Sequence, residues 1–422
     1  MRLKMDKKHV EQHQKLGFEY FMAYTNLELS SSGFGLVVDH SLRPGVASIA
    51  ATGFMLSSLV IGVKNDYIEH NQAKDIAKKT LQTMINLPNV HGWIAHFLDL
   101  SSGTRLGKTE YSTIDTALAY CGILSVDSFF DDEEIHQLSK ILLDRLDWSW
   151  LIHEKDGIKR FFMAYNPDKE GDYVSGKPGF IHHWGMFAEQ LMMYVIMAGS
   201  YDKDLAYELY QGFARERGTY QDISYIYSPG NSLFVYQFPL AWLNLKGIHD
   251  QDGICWYENA QKATLAHALL SQNIKDEFPT FAHDFFGFSA SDSPKGYRVF
   301  GGLPNHENKV KTDGTASTFA MIGSLPLTPD LSYKAICAME KLPDLWGPYG
   351  FYDAFNLAKE PWYSKRYISI NKGLELLMIN AYLSQDVYQA FMSHPIIKKG
   401  MEGLKWVKHH GGNAPSSIKS IL

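Results

Sequence analysis

The sequence predicts an all-α protein whose helices form an inner and an outer layer. Helical periodicity of the hydrophobic residues recurs along the 422 residues, at about one helix per 35 residues. Some of these segments are apolar on nearly every side and others have one polar face, which is typical of a buried layer covered by a half-exposed one. Alternating strand patterns are few and short, at 33–39 and 157–164. In chain order, the predicted helices are 6–28, 47–63, 68–87, 112–124, 131–146, 183–199, 202–217, 232–245, 252–273, 315–323, 330–341 and 370–392.

Charge distinguishes the two layers. The segment 47–63 contains no charged residue, but Ser, Thr and Gly interrupt it and it is short for a membrane span, which needs about 20 apolar residues. We therefore expect a buried helix there and another at 183–199. The segments 68–87 and 131–146 are amphipathic, and 131–146 begins with acids, as the helix dipole favours. These two are expected in the outer layer.

The chain is expected to form one domain, residues 1–422, with a flexible tail at 411–422. No Pro/Ser-rich linker, charge block or exact repeat divides it. Three long loops, 165–179, 285–304 and 345–355, are rich in Gly and aromatic residues. We expect such loops to build a cleft on one face.

Composition and charge exclude several classes of partner. Lys and Arg total 40 against 46 Asp and Glu, a formal net charge of −6, which argues against nucleic acid as a partner. The 3 cysteines are scattered, so neither a disulfide framework nor a zinc cluster is expected. The pairs His182–His183 and His409–His410 lack the i,i+4 spacing with an acid that metal sites use, so no metal is expected. The chain has no Gly-rich phosphate loop or dinucleotide fingerprint, and no cofactor is predicted. Aromatic residues make up 14%, which suits either helix packing or the binding of ring-shaped ligands.

The first residues bear on location. They are too charged to contain the apolar segment of a secretory signal. As the sequence stands, the interpretation is a cytoplasmic protein with no membrane contact, or a periplasmic or secreted one if a leader has been removed. Oligomeric state is not predicted.

Glu189 is a candidate general acid. It is the only Asp, Glu, Lys or Arg between His182 and Ser200. Burial among apolar side chains disfavours the charged form of a carboxyl group, so its pKa should rise toward neutrality. A general acid requires such a pKa. The alternative is a glutamate at a helix surface or capped by a neighbouring histidine.

Glu110 and Asp115 flank the start of the predicted helix 112–124. Ser112 and Asp115 fit a capping box, so Asp115 has a structural alternative to a role in a site. Glu110 lies just outside the helix, where free amides and the helix dipole stabilise an ionised carboxylate. It is therefore a candidate base that complements Glu189.

Asp353 lies in a loop crowded with aromatic rings. Gly and Pro indicate a loop, in which an Asp is often only a helix cap. Rings around an acid also suit sugars, whose C–H faces pack on aromatic rings while their hydroxyls bond carboxylates. The rings nearest in sequence are Trp346, Tyr349, Phe351, Tyr352 and Phe355.

Several sequence blocks together resemble a known family of glycoside hydrolases. The chain is similar to the glucoamylase-like domain of bacterial β-1,2-glucanases, glycoside hydrolase family 144, with relatives in family 162 and in cyclic β-1,2-glucan synthases. The blocks are LRPGVASIAATGF (42–54), EYSTIDT (110–116), WGMFAE (184–189), DGT (313–315), GSLPLTP (323–329) and WGPYGFYDAFN (346–356).

The resemblance implies an (α/α)6 toroid and inverting, metal-free hydrolysis of β-1,2-glucan or sophoro-oligosaccharides. It implies that Glu189 is the general acid, with Glu110 ranked ahead of Asp353 as the base and Asp353 as a relay or substrate ligand. The positions that it implies for sugar binding are Asp115, Asp39, His183, Trp184, Phe286, Trp346, Tyr349 and Tyr352. Two alternatives stay open: transglycosylation or action on another β-glucan, and a non-catalytic carbohydrate-binding protein.

The chain departs from the family pattern at a few positions. The family usually has Arg at the position of His40, Trp at Phe286, a Pro near Thr318 and Ile-Glu-Asn where this chain has Ile379-Asn380-Ala381. Changes at His40 and Phe286 are expected to reshape sugar subsites.

Overall fold

The protein is mostly helical, with short strands between the helices. A computed structural model describes residues 6–168, 176–304 and 309–408. The tail 411–422 and the His409–His410 pair lie outside these residues. Within them, the α-helices are α1 (Lys7–Tyr24), α2 (Ile49–Lys64), α3 (His70–Asn86), α4 (Thr113–Phe130), α5 (Glu133–Asp144), α6 (Leu191–Ser200), α7 (Lys203–Gln211), α8 (Phe234–Gln237), α9 (Trp256–Asn273), α10 (Thr318–Ile322), α11 (Pro329–Met339), α12 (Ser369–Leu383), α13 (Asp386–Ser393) and α14 (Pro395–Gly403).

Short strands form several small antiparallel sheets, so the expectation of an all-α protein needs correction. The sheets in the described part have the orders β1-β2-β5, β10-β11, β12-β20, β13-β14, β15-β18-β19, β16-β17, β3-β4 and β6-β8-β7, with β9 also paired to β8. Because these strands lie in the connections between helices, they leave the helical core intact. The strands are β1 (Val37–Val38), β2 (Val46–Ser48), β3 (Asn89–Val90), β4 (Trp93–Ile94), β5 (Phe97–Asp99), β6 (Tyr111–Ser112), β7 (Ile152–Lys155), β8 (Ile158–Tyr165), β9 (Phe180–His183), β10 (Arg217–Tyr220), β11 (Ile223–Ile226), β12 (Ile248–His249), β13 (Ala290–Ser291), β14 (Arg298–Val299), β15 (Ala316–Ser317), β16 (Trp346–Gly347), β17 (Gly350–Phe351), β18 (Ala354–Asn356), β19 (Trp362–Tyr363) and β20 (Val407–Lys408).

Several predicted helices begin, end or break at other places: 202–217 ends at Gln211, and 370–392 divides into α12 and α13. The helix predicted at 183–199 begins only at Leu191, because the backbone of residues 184–187 bonds to Phe161 and Ala214 instead. The segment 232–245 contains only the short helix α8 and a 3-10 turn that starts at Pro239. Proline cannot donate the backbone hydrogen bond that a continuous helix needs. For 183–199 and 232–245, the hydrophobic pattern correctly predicted that the segment is buried but did not predict its backbone conformation.

The helices α2 and α4 form the centre of the core. Nearly every residue of each is buried, as expected for the uncharged segment 47–63. Among the described helices, none is long and apolar enough to cross a membrane. The two helices touch backbone to backbone at Gly53 and Gly122, where a Cβ on Gly122 would lie 2.2 Å from the carbonyl oxygen of Gly53.

We expect Gly122→Ala to destabilise the fold by roughly 1–3 kcal/mol, the usual cost of overpacking a core. Alanine favours a helix by about 1 kcal/mol over glycine, but the added methyl group would overlap the backbone of α2 and force the helices apart. Urea denaturation followed by tryptophan fluorescence measures the change. Gly45→Ala is the matched control, since nothing lies within 4 Å of a Cβ there. An unchanged midpoint for Gly122→Ala would contradict this packing.

Short strands lead directly into several buried helices. Strand β2 ends at Ser48 and α2 begins at the next residue, β6 runs in the same way into α4, and β15 into α10. The hydrogen bonds of each strand therefore fix the N-terminal end of a core helix. The candidate acids lie at these ends: Glu110 directly precedes β6, Asp353 directly precedes β18, which pairs with β15, and Glu189 lies two residues before α6.

Candidate active site

Glu189 lies in the turn between β9 and α6. Its side chain is partly buried, and burial, reinforced by the negative charge of nearby Asp115, raises its pKa to about 7. The direction is the one expected from the apolar neighbours, although the residue precedes the helix rather than lying within it. Near neutral pH a substantial fraction of this carboxyl group is protonated and able to donate a proton.

Glu110 is held ionised by a histidine. The Nδ1 atom of His96 lies 2.8 Å from Oε1 of Glu110, at hydrogen-bond distance. This bond and the charge of His96 outweigh partial burial and lower the pKa of Glu110 to about 2. The ionised state was expected from the adjacent helix end, but His96 is the main cause.

His96 joins Glu110 to Asp115. Its Nε2 atom lies 3.6 Å from Oδ1 of Asp115. Burial alone would lower the pKa of His96, but Asp115 and Glu110 together raise it to about 9. A charged imidazole between two carboxylates is thereby stabilised.

Asp115 combines both interpretations that the sequence left open. Ser112 is the N-cap of α4 and its hydroxyl oxygen accepts a hydrogen bond from the backbone N–H of Asp115. The same hydroxyl donates to Oδ2 of Asp115 at 2.5 Å. The Ser112 half of the predicted capping box is therefore present, whereas the Asp115 carboxylate accepts from the Ser112 hydroxyl and turns its other oxygen toward His96.

Asp353 is buried and held rigidly. Its two oxygens accept hydrogen bonds of 2.7 Å from the backbone N–H of Asp292 and from the side-chain amide of Asn371. Burial outweighs these bonds and raises the pKa of Asp353 to about 7. At neutral pH this group, unlike Glu110, is only partly ionised.

An ion pair beside Asp353 has no counterpart in the sequence-based predictions. Arg366 Nη2 donates to Oδ1 of Asp292 at 2.6 Å, and the hydroxyl of Ser364 donates to Oδ2 of Asp292 at 2.8 Å. The charges of Arg366 and Asp292 act on the pKa of Asp353 in opposite directions. The Asp292–Arg366 pair therefore helps to position Asp353 and also affects the pKa of its carboxyl group.

A cavity of about 300 Å³ is lined by His96 and Arg366, but not by Glu189, Glu110 or Asp353. Burial raises the pKa of Asp39, against the opposing charges of His40 and His96. The lining residues are Asp39, His40, His96, Phe97, Tyr297, Arg366, Ile368 and Ile370.

Tyr297 lines the cavity and feels the charges of three acids. Half of its surface is exposed, but burial of its hydroxyl end raises its pKa, and the charges of Asp353, Asp39 and Glu189 raise it further. The hydroxyl group therefore stays protonated and can donate a hydrogen bond. The charges of these three carboxyl groups therefore all act on the hydroxyl of Tyr297.

Three of the predicted sugar-binding residues lie in or under the core. Trp184 is buried and its Nε1 donates to the hydroxyl of Thr113 at 3.2 Å. His183 is partly buried, its ring packs against His153 with centroids 5.4 Å apart, and burial lowers its pKa. Phe286 is only 1% exposed, so direct contact with a sugar would require its ring to move.

The other predicted rings form an aromatic cluster beside α1. Tyr349 packs edge-on against Tyr24 with ring centroids 5.7 Å apart, and Tyr352 packs on Tyr367 at 4.9 Å. Tyr24 also lines a wide groove of about 700 Å³. Trp346 is 40% exposed. A ring surface next to a groove is suited to the C–H face of a sugar.

The structure shows the contacts of two residues that depart from the family pattern, His40 and Asn380. His40 lines the 300 Å³ cavity, and burial lowers its pKa. Asn380 lies in α12, where its amide donates to Asp386 at 2.9 Å and to Ser384 at 3.0 Å. Asn380 therefore ties α12 to α13, whereas His40 belongs to the site.

Sequence reasoning missed His96, Arg366, Asp292 and Tyr297. None lies in a sequence block with a recognisable pattern, and each reaches the acids only through the fold. His96 lies 14 residues before Glu110 in the sequence, between β4 and β5.

A family model described as "Putative glucoamylase" matches residues 181–395, which is half of the chain and includes Glu189 and Asp353. The chain belongs to this family. The glucoamylase-like family is one of glycoside hydrolases, as the sequence blocks had indicated.

Among curated proteins, the glucoamylase-like chain is 22% identical over 407 residues to the exo-β-1,2-glucooligosaccharide sophorohydrolase (non-reducing end) of Parabacteroides distasonis. The match covers 87% of this chain and 54% of the relative. The chain thus spans about half the length of the curated relative that it matches.

Solved structures show the same fold. A crystal structure from Bacteroides uniformis, also described as a glucoamylase, superposes with a TM-score of 0.83 at 22% identity over 96% of this chain and 99% of that one. The endo-β-1,2-glucanase of Chitinophaga pinensis, in complex with sophorotriose and glucose, gives a TM-score of 0.82 at 21% identity over 96% and 99% of the two chains. At identities of 21–22% the likeness shows the fold of this family member but not its substrate.

Proposed function

We propose that this protein hydrolyses β-1,2-glucan or sophoro-oligosaccharides by an inverting acid/base mechanism. One observation supports this most strongly. Glu189, whose pKa is about 7, lies near Asp115, and His96 joins Asp115 to Glu110, whose pKa is about 2. Pairs of carboxyl groups whose environments separate their pKa values are typical of glycoside hydrolases.

In the proposed reaction, Glu189 donates its proton to the glycosidic oxygen as the bond to the anomeric carbon breaks. Glu110 accepts a proton from a water molecule, whose oxygen forms the new bond on the opposite face of the sugar. The proton balance closes when Glu189 takes up a proton from solvent and Glu110 releases one. His96 stays charged throughout and keeps Glu110 oriented.

Asp353 is proposed as a relay or substrate ligand rather than as the base. Its raised pKa leaves it partly protonated at neutral pH, so only the ionised fraction of Asp353 could accept a proton. A protonated carboxyl group can donate a hydrogen bond to a sugar hydroxyl. Tyr297 is positioned as a second donor.

We further propose that the helices form an (α/α)6 toroid in one domain. In support, a single cluster of buried hydrophobic residues extends from Val10 in α1 to Trp406 beyond α14. The candidate acids lie at the N-terminal ends of core helices, where a toroid would open its cleft. No cofactor is proposed for the reaction.

The β-1,2 linkage rests on the relatives. Both the curated relative and one structural neighbour act on β-1,2-glucans by their names, and their low identity makes the same substrate a proposal here. The aromatic cluster with Tyr349 and Tyr352 beside the groove offers a surface for further sugar units.

A panel of purified glucans that differ in linkage tests the proposal. We expect reducing ends to appear with β-1,2-glucan and sophoro-oligosaccharides, but not with β-1,3-, β-1,4- or α-1,4-glucans. Chromatography resolves the products by size, and proton NMR of the first products should show the α-anomer. Cleavage of α-1,4-glucan would overturn the linkage. Longer or cyclic products would favour the transglycosylase, and binding without cleavage would favour the non-catalytic alternative.

A further inference from the structure

Two histidines of α1 and a glutamate of α11 converge outside the candidate active site. His9 and His13 lie one helical turn apart and face the C-terminal end of α11, where Glu340 is the C-cap. The Nε2 atom of His9 lies 2.5 Å from Oε1 of Glu340, and Nε2 of His13 lies 3.4 Å from the same oxygen. We call these three residues the His9–His13–Glu340 cluster.

His13 is the unusual member of the cluster. It is only 1% exposed, and neither of its ring nitrogens forms a hydrogen bond. Its ring packs against those of Trp346 and Phe351, with centroids 5.2 Å away in both cases. Because buried polar groups normally form hydrogen bonds, an imidazole whose Nε2 faces the Glu340 carboxylate at 3.4 Å without a regular hydrogen bond is suited to hold a cation between the two atoms.

His9 is oriented by a neighbouring hydroxyl group. Its Nδ1 atom lies 3.2 Å from the hydroxyl of Tyr333, whose oxygen also accepts from the backbone N–H of Asp6 at 3.1 Å. If Nδ1 donates to that oxygen, the Nε2 atom presents a lone pair to Glu340. Two acceptors so close require a proton or a cation between them. A hydrogen bond from the other ring nitrogen, here between Nδ1 of His9 and the hydroxyl of Tyr333, is how metal-binding histidines are usually oriented.

We propose that the His9–His13–Glu340 cluster binds a zinc ion through His9 Nε2, His13 Nε2 and a carboxylate oxygen of Glu340. Bonds of 2.0–2.2 Å in a tetrahedron place ligand atoms about 3.4 Å apart, which is the separation of His13 and Glu340. The contact between His9 and Glu340 opens when the ion replaces the proton. Water completes the tetrahedron at the partly exposed side.

The site ties the start of the chain to a distant helix. His9 and Glu340 are 331 residues apart in sequence, so the ion would crosslink α1 and α11. The role is structural, and it differs from the expectation that the chain binds no metal. Histidines at i and i+4 in α1 were the signal in the sequence, but the glutamate comes from a remote element.

Isothermal titration of the metal-free full-length protein with zinc chloride tests the proposal. We expect one equivalent of zinc to bind and to raise the melting temperature. His13→Phe keeps a buried ring between Trp346 and Phe351, and Glu340→Gln keeps the size of an exposed side chain, so both variants should fold. Each should weaken binding by at least about 100-fold, and Tyr333→Phe by about 10-fold.

Cobalt identifies the ligands. A second group among the described residues, His249, Cys255 and Glu258, could also hold a metal ion, but it contains a thiol. Cobalt in the His9–His13–Glu340 cluster should give visible absorption without a thiolate charge-transfer band, and the spectrum should survive Cys255→Ser. His91→Gln is the matched histidine control and should leave binding unchanged. No zinc binding, or binding that depends on Cys255 and not on Glu340, would overturn the proposal.

Discussion

Glu189→Gln should abolish most of the hydrolysis while leaving sugar binding intact. The amide has nearly the same shape as the carboxyl group but cannot donate a proton to the leaving oxygen. Loss of general acid catalysis typically costs roughly 10²–10⁴ in rate, and we expect kcat to fall within that range with little change in affinity. Reducing-sugar assays on β-1,2-glucan measure the rate, and isothermal titration with a sophoro-oligosaccharide measures the binding.

Glu208→Gln is the matched control for this experiment. Glu208 pairs with Lys159 at 2.9 Å and its side chain is 47% exposed, so the same change of charge occurs there on the surface. It should leave the rate unaltered. Full activity of Glu189→Gln would remove Glu189 from the mechanism and with it the proposed acid.

Glu110→Gln should lower kcat by roughly 10²–10⁴, the range for a lost general base, and by more than Asp353→Asn does. With a pKa of about 2, Glu110 is ionised in neutral and mildly acidic solution, whereas Asp353 is partly protonated near neutrality. Asp353→Asn disturbs the hydrogen bonds from Asp292 and Asn371 instead, so we expect it to act mainly on KM and on stability. Steady-state kinetics of both variants separate these effects. The reverse order, with Asp353→Asn the slower enzyme, would make Asp353 the base.

The pH dependence of kcat/KM distinguishes the two bases independently. With Glu110 as base, whose pKa is about 2, and Glu189 as acid, whose pKa is about 7, activity should be level in mildly acidic solution and should fall as the pH rises above about 7. If Asp353 were the base, its pKa of about 7 would confine activity to a narrow optimum near neutrality. The measured shape of the acid side of the profile decides between them.

The sequence predicted the local parts of the site well where the cause is local. The helix cap at Ser112 depends on four adjacent residues, and the Ser112 side chain caps α4 as predicted. The buried helix at 47–63 follows from a run without charge, and α2 lies there. The raised pKa of Glu189 follows from the apolar residues on both sides of it.

Predictions were weaker where the cause lies across the fold. Residues 184–187 do not begin the helix predicted at 183–199, because their backbone bonds to Phe161 and Ala214, which come from elsewhere in the chain. The ionisation of Glu110 was attributed to a helix end, but its main cause is His96. Phe286, expected among the sugar-binding positions, is buried.

The sequence by itself determined the helical class, the glycoside hydrolase family and the candidate acids, because periodicity, capping and the family's blocks are written in adjacent residues. The tertiary structure alone decided what those acids can do. Proton affinity depends on burial and on charges within a few ångströms, and these charges come from Asp292, Arg366, Asp115 and His96. Such neighbours meet only when the chain folds, since each approaches from a different element.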